Sequence, residues 1–121
     1  MIAYAASDLI WSSRIKSTAD ALGLPARRIS NPGGLEALLD TGQVRLVLVD
    51  LEAEDAQAII SVMRGPDACE SARKTPTLAW APHVLVDDLE NARRAGIDRV
   101  LTRGAFAANL ETILAQISAK S

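Results

Sequence analysis

The sequence predicts an α/β domain built on a doubly wound parallel sheet of five strands. Three observations carry this. Short apolar runs alternate five times with stretches of helical periodicity, the pattern of strands crossed over by helices on both faces of one sheet. The run Val44-Arg45-Leu46-Val47-Leu48-Val49 is almost continuously aliphatic, as a strand covered on both sides must be. Glycine and proline punctuate the junctions between the runs.

Ile2–Ala6 is the first strand. Asp8–Leu22 carries Leu9, Trp11, Ile15, Ala19 and Leu22 at helical spacing, with Ser7 or Asp8 as N-cap, Gly23 past its end and Pro25 stopping it. Trp11 falls early in this helix and reads as half exposed. Ala26–Ser30 is a short strand, Asn31-Pro32-Gly33-Gly34 a turn, and Leu35–Asp40 a short helix. The third strand, 44–49, is followed by a helix over Ala53–Arg64, ended by Gly65-Pro66. Its early acids, Glu52, Glu54 and Asp55, suit the positive end of the helix dipole. Asp67–Lys74 is a polar loop with at most one helical turn. Thr77–Ala81 is the fourth strand, with Trp80 in the core or lining a pocket; Val84–Ala95 is a helix closed by Gly96. Asp98–Thr102 is the fifth strand. A stripe of Phe106, Leu110, Ile113, Leu114 and Ile117 makes the last helix, running to the C-terminus. Right-handed crossovers then favour the flavodoxin-like (βα)5 order 2-1-3-4-5, with ligands expected at the C-terminal strand ends.

The 121 residues fit one domain, 1–121, at about 100–200 residues per domain. A net charge of −2 excludes a strongly basic nucleic-acid binder, and 3% aromatics argue against base-stacking platforms. One cysteine, Cys69, makes no internal disulfide and no Cys-rich zinc site; a reducing compartment follows. No apolar run approaches the ~18 residues of a membrane span, and no signal peptide is visible, so a cytoplasmic protein is expected. Ser7-Asp8-Leu9-Ile10-Trp11-Ser12-Ser13 after the first strand holds no Gly-rich phosphate loop, and Gly33-Gly34 lacks dinucleotide-binding spacing. His83, alone in a loop after Pro82, reads as a solvated side chain.

The run 44–50 ending in Asp50, Pro76 before the fourth strand, Ala95-Gly96 closing the fourth helix and the 14-residue gap from Pro82 to Gly96 resemble a response-regulator receiver domain of the CheY-like kind. The resemblance covers essentially the whole chain. It implies that Asp50 is the phospho-acceptor position of a two-component or phosphorelay system. It also implies a Mg2+ site with an acidic pair after the first strand, a hydroxyl ending the fourth strand and a lysine ending the fifth. At those positions this sequence has Ala6 and Ser7, Ala81, and Arg103 followed by Gly104. Asp8, one position late, doubles as the N-cap. The resemblance is therefore to a degenerate pseudo-receiver, with Ala81 and Arg103 at altered switch positions. It implies a non-enzymatic module working in signal transduction by protein–protein contact, with no cofactor.

Two alternatives remain. One is a phosphorylation-competent receiver using Asp50 and Mg2+, with Asp8 for the metal. The other is a small ligand-binding domain around Asp8, Asp50, His83 and Arg103, with Asp8, Asp50 and Glu52 as its acidic pocket. Asp50 otherwise caps the third helix or pairs with Arg103; Arg103 otherwise is an exposed loop residue. In family members the partner or dimer surface is the fourth helix, fifth strand and fifth helix of the pattern (84–95, 98–102 and 106 onward). Here that surface carries Asp87, Asp88, Arg93, Arg94, Asp98 and Arg99, and no contact with nucleic acid or membrane is expected.

Overall fold

The structure, a computed structural model, describes residues 1–119. The elements run β1 (Ile2–Ala5), α1 (Leu9–Ala21), β2 (Ala26–Arg28), α2 (Pro32–Leu39), β3 (Leu46–Asp50), α3 (Ala56–Arg64), α4 (Glu70–Lys74), β4 (Thr77–Ala81), α5 (Val86–Arg94), β5 (Arg99–Thr102) and α6 (Arg103–Ala119). The strands form one sheet in the order β2-β1-β3-β4-β5, every pair parallel, as the sequence predicts. The expected continuation of the last helix to the C-terminus lies, for residues 120 and 121, outside the described residues.

Side chains alternate across the sheet with a period of two. Ile2, Tyr4, Leu46, Leu48, Leu78 and Trp80 point to one face, where Trp11, Ile15 and Ala19 of α1 and Phe106, Leu110 and Leu114 of α6 cover them. Ala3, Ala5, Val47, Val49, Ala79 and Ala81 point to the other, against α2, α3 and α5. Four of the six on the second face are alanines. The first holds all four of the chain's aromatics, Tyr4, Trp11, Trp80 and Phe106. Trp80 stacks on Phe106 with centroids 4.2 Å apart, and Trp11 lies 5.5 and 5.3 Å from those two rings. Each such pair adds about 0.5–1.5 kcal/mol beyond its buried area. Arg14 closes the stack from outside, its guanidinium 5.5 Å from the Trp11 ring and 3.2 Å from the Ala107 carbonyl. Trp11 is thus only 8% exposed, not half exposed, because Trp80 and Phe106 give it a surface to pack on.

Several boundaries differ from the sequence pattern. The Asn31-Pro32-Gly33-Gly34 stretch is not a free turn. Asn31 is the N-cap of α2, its Oδ1 accepting from the Gly34 N–H at 2.8 Å, and Pro32 occupies the first helical turn, where its fixed φ suits the helix and its missing N–H costs nothing. β3 runs from Leu46 to Asp50, two residues later at its start and one later at its end than expected. The 67–74 loop contains the short helix α4, capped by Cys69, whose Sγ accepts from Ala72 N–H at 3.4 Å. α3 begins at Ala56, so Glu52 and Glu54 stand in the preceding loop rather than in its first turn. α5 is trimmed to 86–94. Arg103 and Gly104 belong to α6, which follows β5 without a loop: Thr102 Oγ1 accepts from the Ala105 N–H at 3.2 Å.

Candidate functional site at the carboxyl ends of the strands

β1, β3, β4 and β5 all end on one side of the sheet. The register sets who stands beside whom: Ala5 pairs with Val49, so Ala6 and Ser7 emerge beside Asp50, while Asp50 pairs with Trp80 and Ala81 with Thr102. Alternation from Leu46 and Leu48 places Asp50 on the α1–α6 face, above Trp80.

Asp50 is 1% exposed. Its Oδ2 accepts two hydrogen bonds from one residue, the Ser7 main-chain N–H at 2.9 Å and the Ser7 hydroxyl at 2.5 Å. Its Oδ1 accepts the Glu52 N–H at 3.0 Å. The carboxylate therefore ties the β1–α1 loop to the β3–α3 loop. It neither caps α3 nor meets Arg103, the two alternatives open from sequence. α3 starts too far along the chain for Asp50 to cap it, and its N-cap residue, Asp55, makes no side-chain cap bond.

Arg103 reaches past Ala81 to Glu52, with Nη1 3.8 Å from Oε1; both side chains are half exposed. This bridge joins the start of α6 to the β3–α3 loop, and Ala81 is fully buried. Asp8 is spent locally: its Oδ1 accepts the Trp11 N–H at 2.8 Å and caps α1. Asp8, Asp50 and Glu52 each have a partner of their own. They face a helix end, a serine and an arginine respectively. His83 is exposed in the β4–α5 loop.

The charges of the expected partner surface divide. Arg93 and Arg94 are exposed on α5 and reach Glu90 on the same helix at 3.4 and 3.6 Å. Asp87 and Asp88 lie in its exposed first turn, and Arg99 is exposed on the edge strand β5. Asp98 is turned elsewhere, accepting from Arg64, Thr77 N–H and the Thr77 hydroxyl at 2.9–3.1 Å.

Three participants have no obvious sequence signal. Ser7 reads as a lost acid, yet holds Asp50 through two donors. Arg28, at the end of the edge strand β2, donates to the Ala6 carbonyl at 3.1 Å. Thr102 reads as strand and caps a helix.

No family model and no curated protein matches this sequence. Solved structures do. The chain superposes on the receiver domain of NtrX from Brucella abortus with a TM-score of 0.76 over 100% of both chains, at 14% identity. The fold is that of a response-regulator receiver domain. The receiver domain of a sensor histidine kinase from Pseudomonas aeruginosa, which holds a magnesium ion in its active site cleft, gives a TM-score of 0.72 at 20% identity, over 98% of this chain and 96% of that one. A response regulator from Thermotoga maritima gives 0.71 at 18% identity over the same shares. Among the described residues, no helix is long and apolar enough to cross a membrane.

Proposed function

We propose that this receiver-fold module acts in cytoplasmic signal transduction through protein–protein contact, without catalysis of its own and without a conventional Mg2+-dependent phosphorylation cycle. One observation carries the reading: the Asp50 carboxylate is buried, with Oδ2 accepting twice from Ser7 and Oδ1 once from Glu52, so that three of its roughly four acceptor sites are taken up inside the protein. Phosphoryl transfer is mostly positioning and charge neutralisation around the moving group. A nucleophilic carboxylate must turn a free lone pair toward it, and Mg2+ requires a near-octahedral oxygen set that includes one or two carboxylates. Beside Asp50 stand the methyl of Ala6 and the hydroxyl of Ser7, and the Asp8 carboxylate is occupied at α1. These residues do not fit the ion. Ala81 offers no hydroxyl, and the cation of Arg103 is engaged with Glu52.

Incubation with acetyl phosphate and Mg2+, read by intact mass, is expected to leave the chain unmodified. A single phosphoryl adduct that vanishes in Asp50→Ala would replace this reading with the phosphorylation-competent one.

The contact surface of this reading is α5, β5 and the outer face of α6. Val84 and Val86 are exposed at the head of α5 beside Asp87 and Asp88. Arg93 and Arg94 project from the same helix and Arg99 from the adjoining edge strand. A two-fold arrangement would bring opposite charges together across such a face. Arg93→Glu with Arg94→Glu is expected to shift sedimentation toward monomer at low salt. A wild type already monomeric there would remove self-association and leave a different protein as the partner.

A further inference from the structure

A second cleft opens beside the Asp50 latch without using Asp50. It holds about 360 Å³, near the lower end of the range for small-molecule sites. Ser7 at the end of β1, Arg28 and Ser30 at the end of β2, Glu54 and Asp55 before α3, and Ile59 beneath them line it. Its place follows from topology. β1 and β3 are neighbours whose chains leave toward opposite faces, and in open parallel sheets ligands settle in the crevice such a reversal creates.

The lining carries polar capacity that the protein does not spend on itself. Arg28 donates through Nη2 to the Ala6 carbonyl, which fixes the guanidinium at the cleft; its remaining N–H groups meet no acceptor among the described residues. The hydroxyl of Ser30 and the carboxylates of Glu54 and Asp55 likewise make no side-chain hydrogen bond or ion pair there. Glu52, at the rim, is already matched by Arg103. One planar cation and two carboxylates therefore line the same small crevice. Among the described residues no three or more His, Cys, Asp or Glu side chains group so as to hold a metal ion.

The geometry points to a binding site for a small organic zwitterion, an α-amino acid or close analogue, whose carboxylate pairs with Arg28 and whose ammonium lies between Glu54 and Asp55. A guanidinium fork matches a carboxylate in two parallel hydrogen bonds. The two acids supply the opposite charge at the other end. A simple anion would be repelled by the acids and a simple amine by Arg28, so the pairing selects a molecule bearing both.

The test is a titration of the 15N-labelled protein with the common amino acids, each beside its Nα-acetyl and carboxamide derivatives. At least one amino acid is expected to bind saturably with Kd of about 10 μM to 1 mM, moving the amides of Ser7, Ile29, Ser30 and Ala53–Asp55. Each derivative, lacking one charge, is expected to bind about 10-fold or more weakly, and so are Arg28→Ala and Glu54→Gln with the free amino acid. The derivatives make this comparison on the unaltered protein, whatever the variants do to folding. No saturable shift at about 10 mM, shifts scattered outside these loops, or derivatives binding as well as the parent would each overturn the assignment. None of these outcomes bears on whether Asp50 accepts a phosphoryl group.

Discussion

Arg64 and Asp98 lie 34 residues apart and meet at 2.9 Å, with the Arg64 side chain 14% exposed. The guanidinium does more than pair. It donates to the carbonyls of Met63, Ala72, Thr75 and Gly96 at 2.8–3.1 Å, while Asp98 accepts from the Thr77 N–H and hydroxyl. One side chain thus gathers the end of α3, the end of α4, the start of β4 and the turn into β5. Truncating it strands the part-buried carbonyls of Met63, Ala72 and Thr75.

Arg64→Ala is expected to cost about 3 kcal/mol in urea unfolding, and Arg64→Lys most of that, since a point charge cannot serve four diverging acceptors. A loss below about 1 kcal/mol for Arg64→Ala would mean the network is cosmetic.

Gly96 is bound to the same network. Its φ of +100° is a conformation side chains rarely adopt, although a Cβ there would make only ordinary contact, at 3.5 Å, with the Arg64 stem. Gly96→Ala is expected to cost about 1–2 kcal/mol by thermal or urea unfolding. Gly104→Ala, with open space around its Cβ position and a place in the first turn of α6, is the control and should be neutral or stabilising.

Ser7→Ala removes the hydroxyl from Asp50 but keeps the main-chain donor. A hydrogen bond to a charged group at a part-buried site predicts a loss of about 1.5–3 kcal/mol. In a double-mutant cycle with Asp50→Ala the two changes should couple by about 1 kcal/mol or more. Additive effects would show that the pair in the structure does not hold in solution.

The Met1 ammonium donates to the Gln43 carbonyl at 2.8 Å, and burial, with Arg45 beside it, holds its pKa below the usual 8.0. The folded state therefore binds that proton less tightly than the unfolded chain. The resulting cost is full below the folded pKa and gone above 8.0, so stability should rise with pH across that window. Comparing melting temperatures of chains with a free and an acetylated Met1 isolates the effect. The gap between them should widen as pH falls through the window, and a constant gap would refute the assignment.

The parts of this fold visible in sequence are those written in apolar periodicity. β4 stands at 77–81 as expected, and the strand order follows from alternation and crossover hand. Asp8 was legible as a cap because caps are local. The start of α2 was ambiguous because Asn-Pro-Gly-Gly serves a turn and a capped, Pro-initiated helix equally well, and packing of Leu35 and Leu39 decides. α4 carries too few apolar residues to show a period. Arg64 was invisible for a different reason: most of its partners are backbone carbonyls, which leave no trace in residue identity. Within the site, Asp50, Ala81 and Arg103 stood out only through the resemblance to receiver domains, since no local spacing marks them. Serine as the partner of Asp50 did not stand out, since its role depends on the β1–β3 register rather than on any local pattern.

That register has a kinetic side. Ser7 and Asp50 are 43 residues apart, and a parallel pair has no hairpin to bring its strands together. Closing a loop of that length costs roughly 3 kcal/mol of chain entropy or more before the bond returns anything. The bond lies beyond the last paired residues, Ala5 and Val49, so it forms only once β1 and β3 are already docked. Ser7→Ala should therefore leave the refolding rate nearly unchanged and speed unfolding. The contact that keeps Asp50 out of solvent sets how long the native state lasts, not how quickly it is reached.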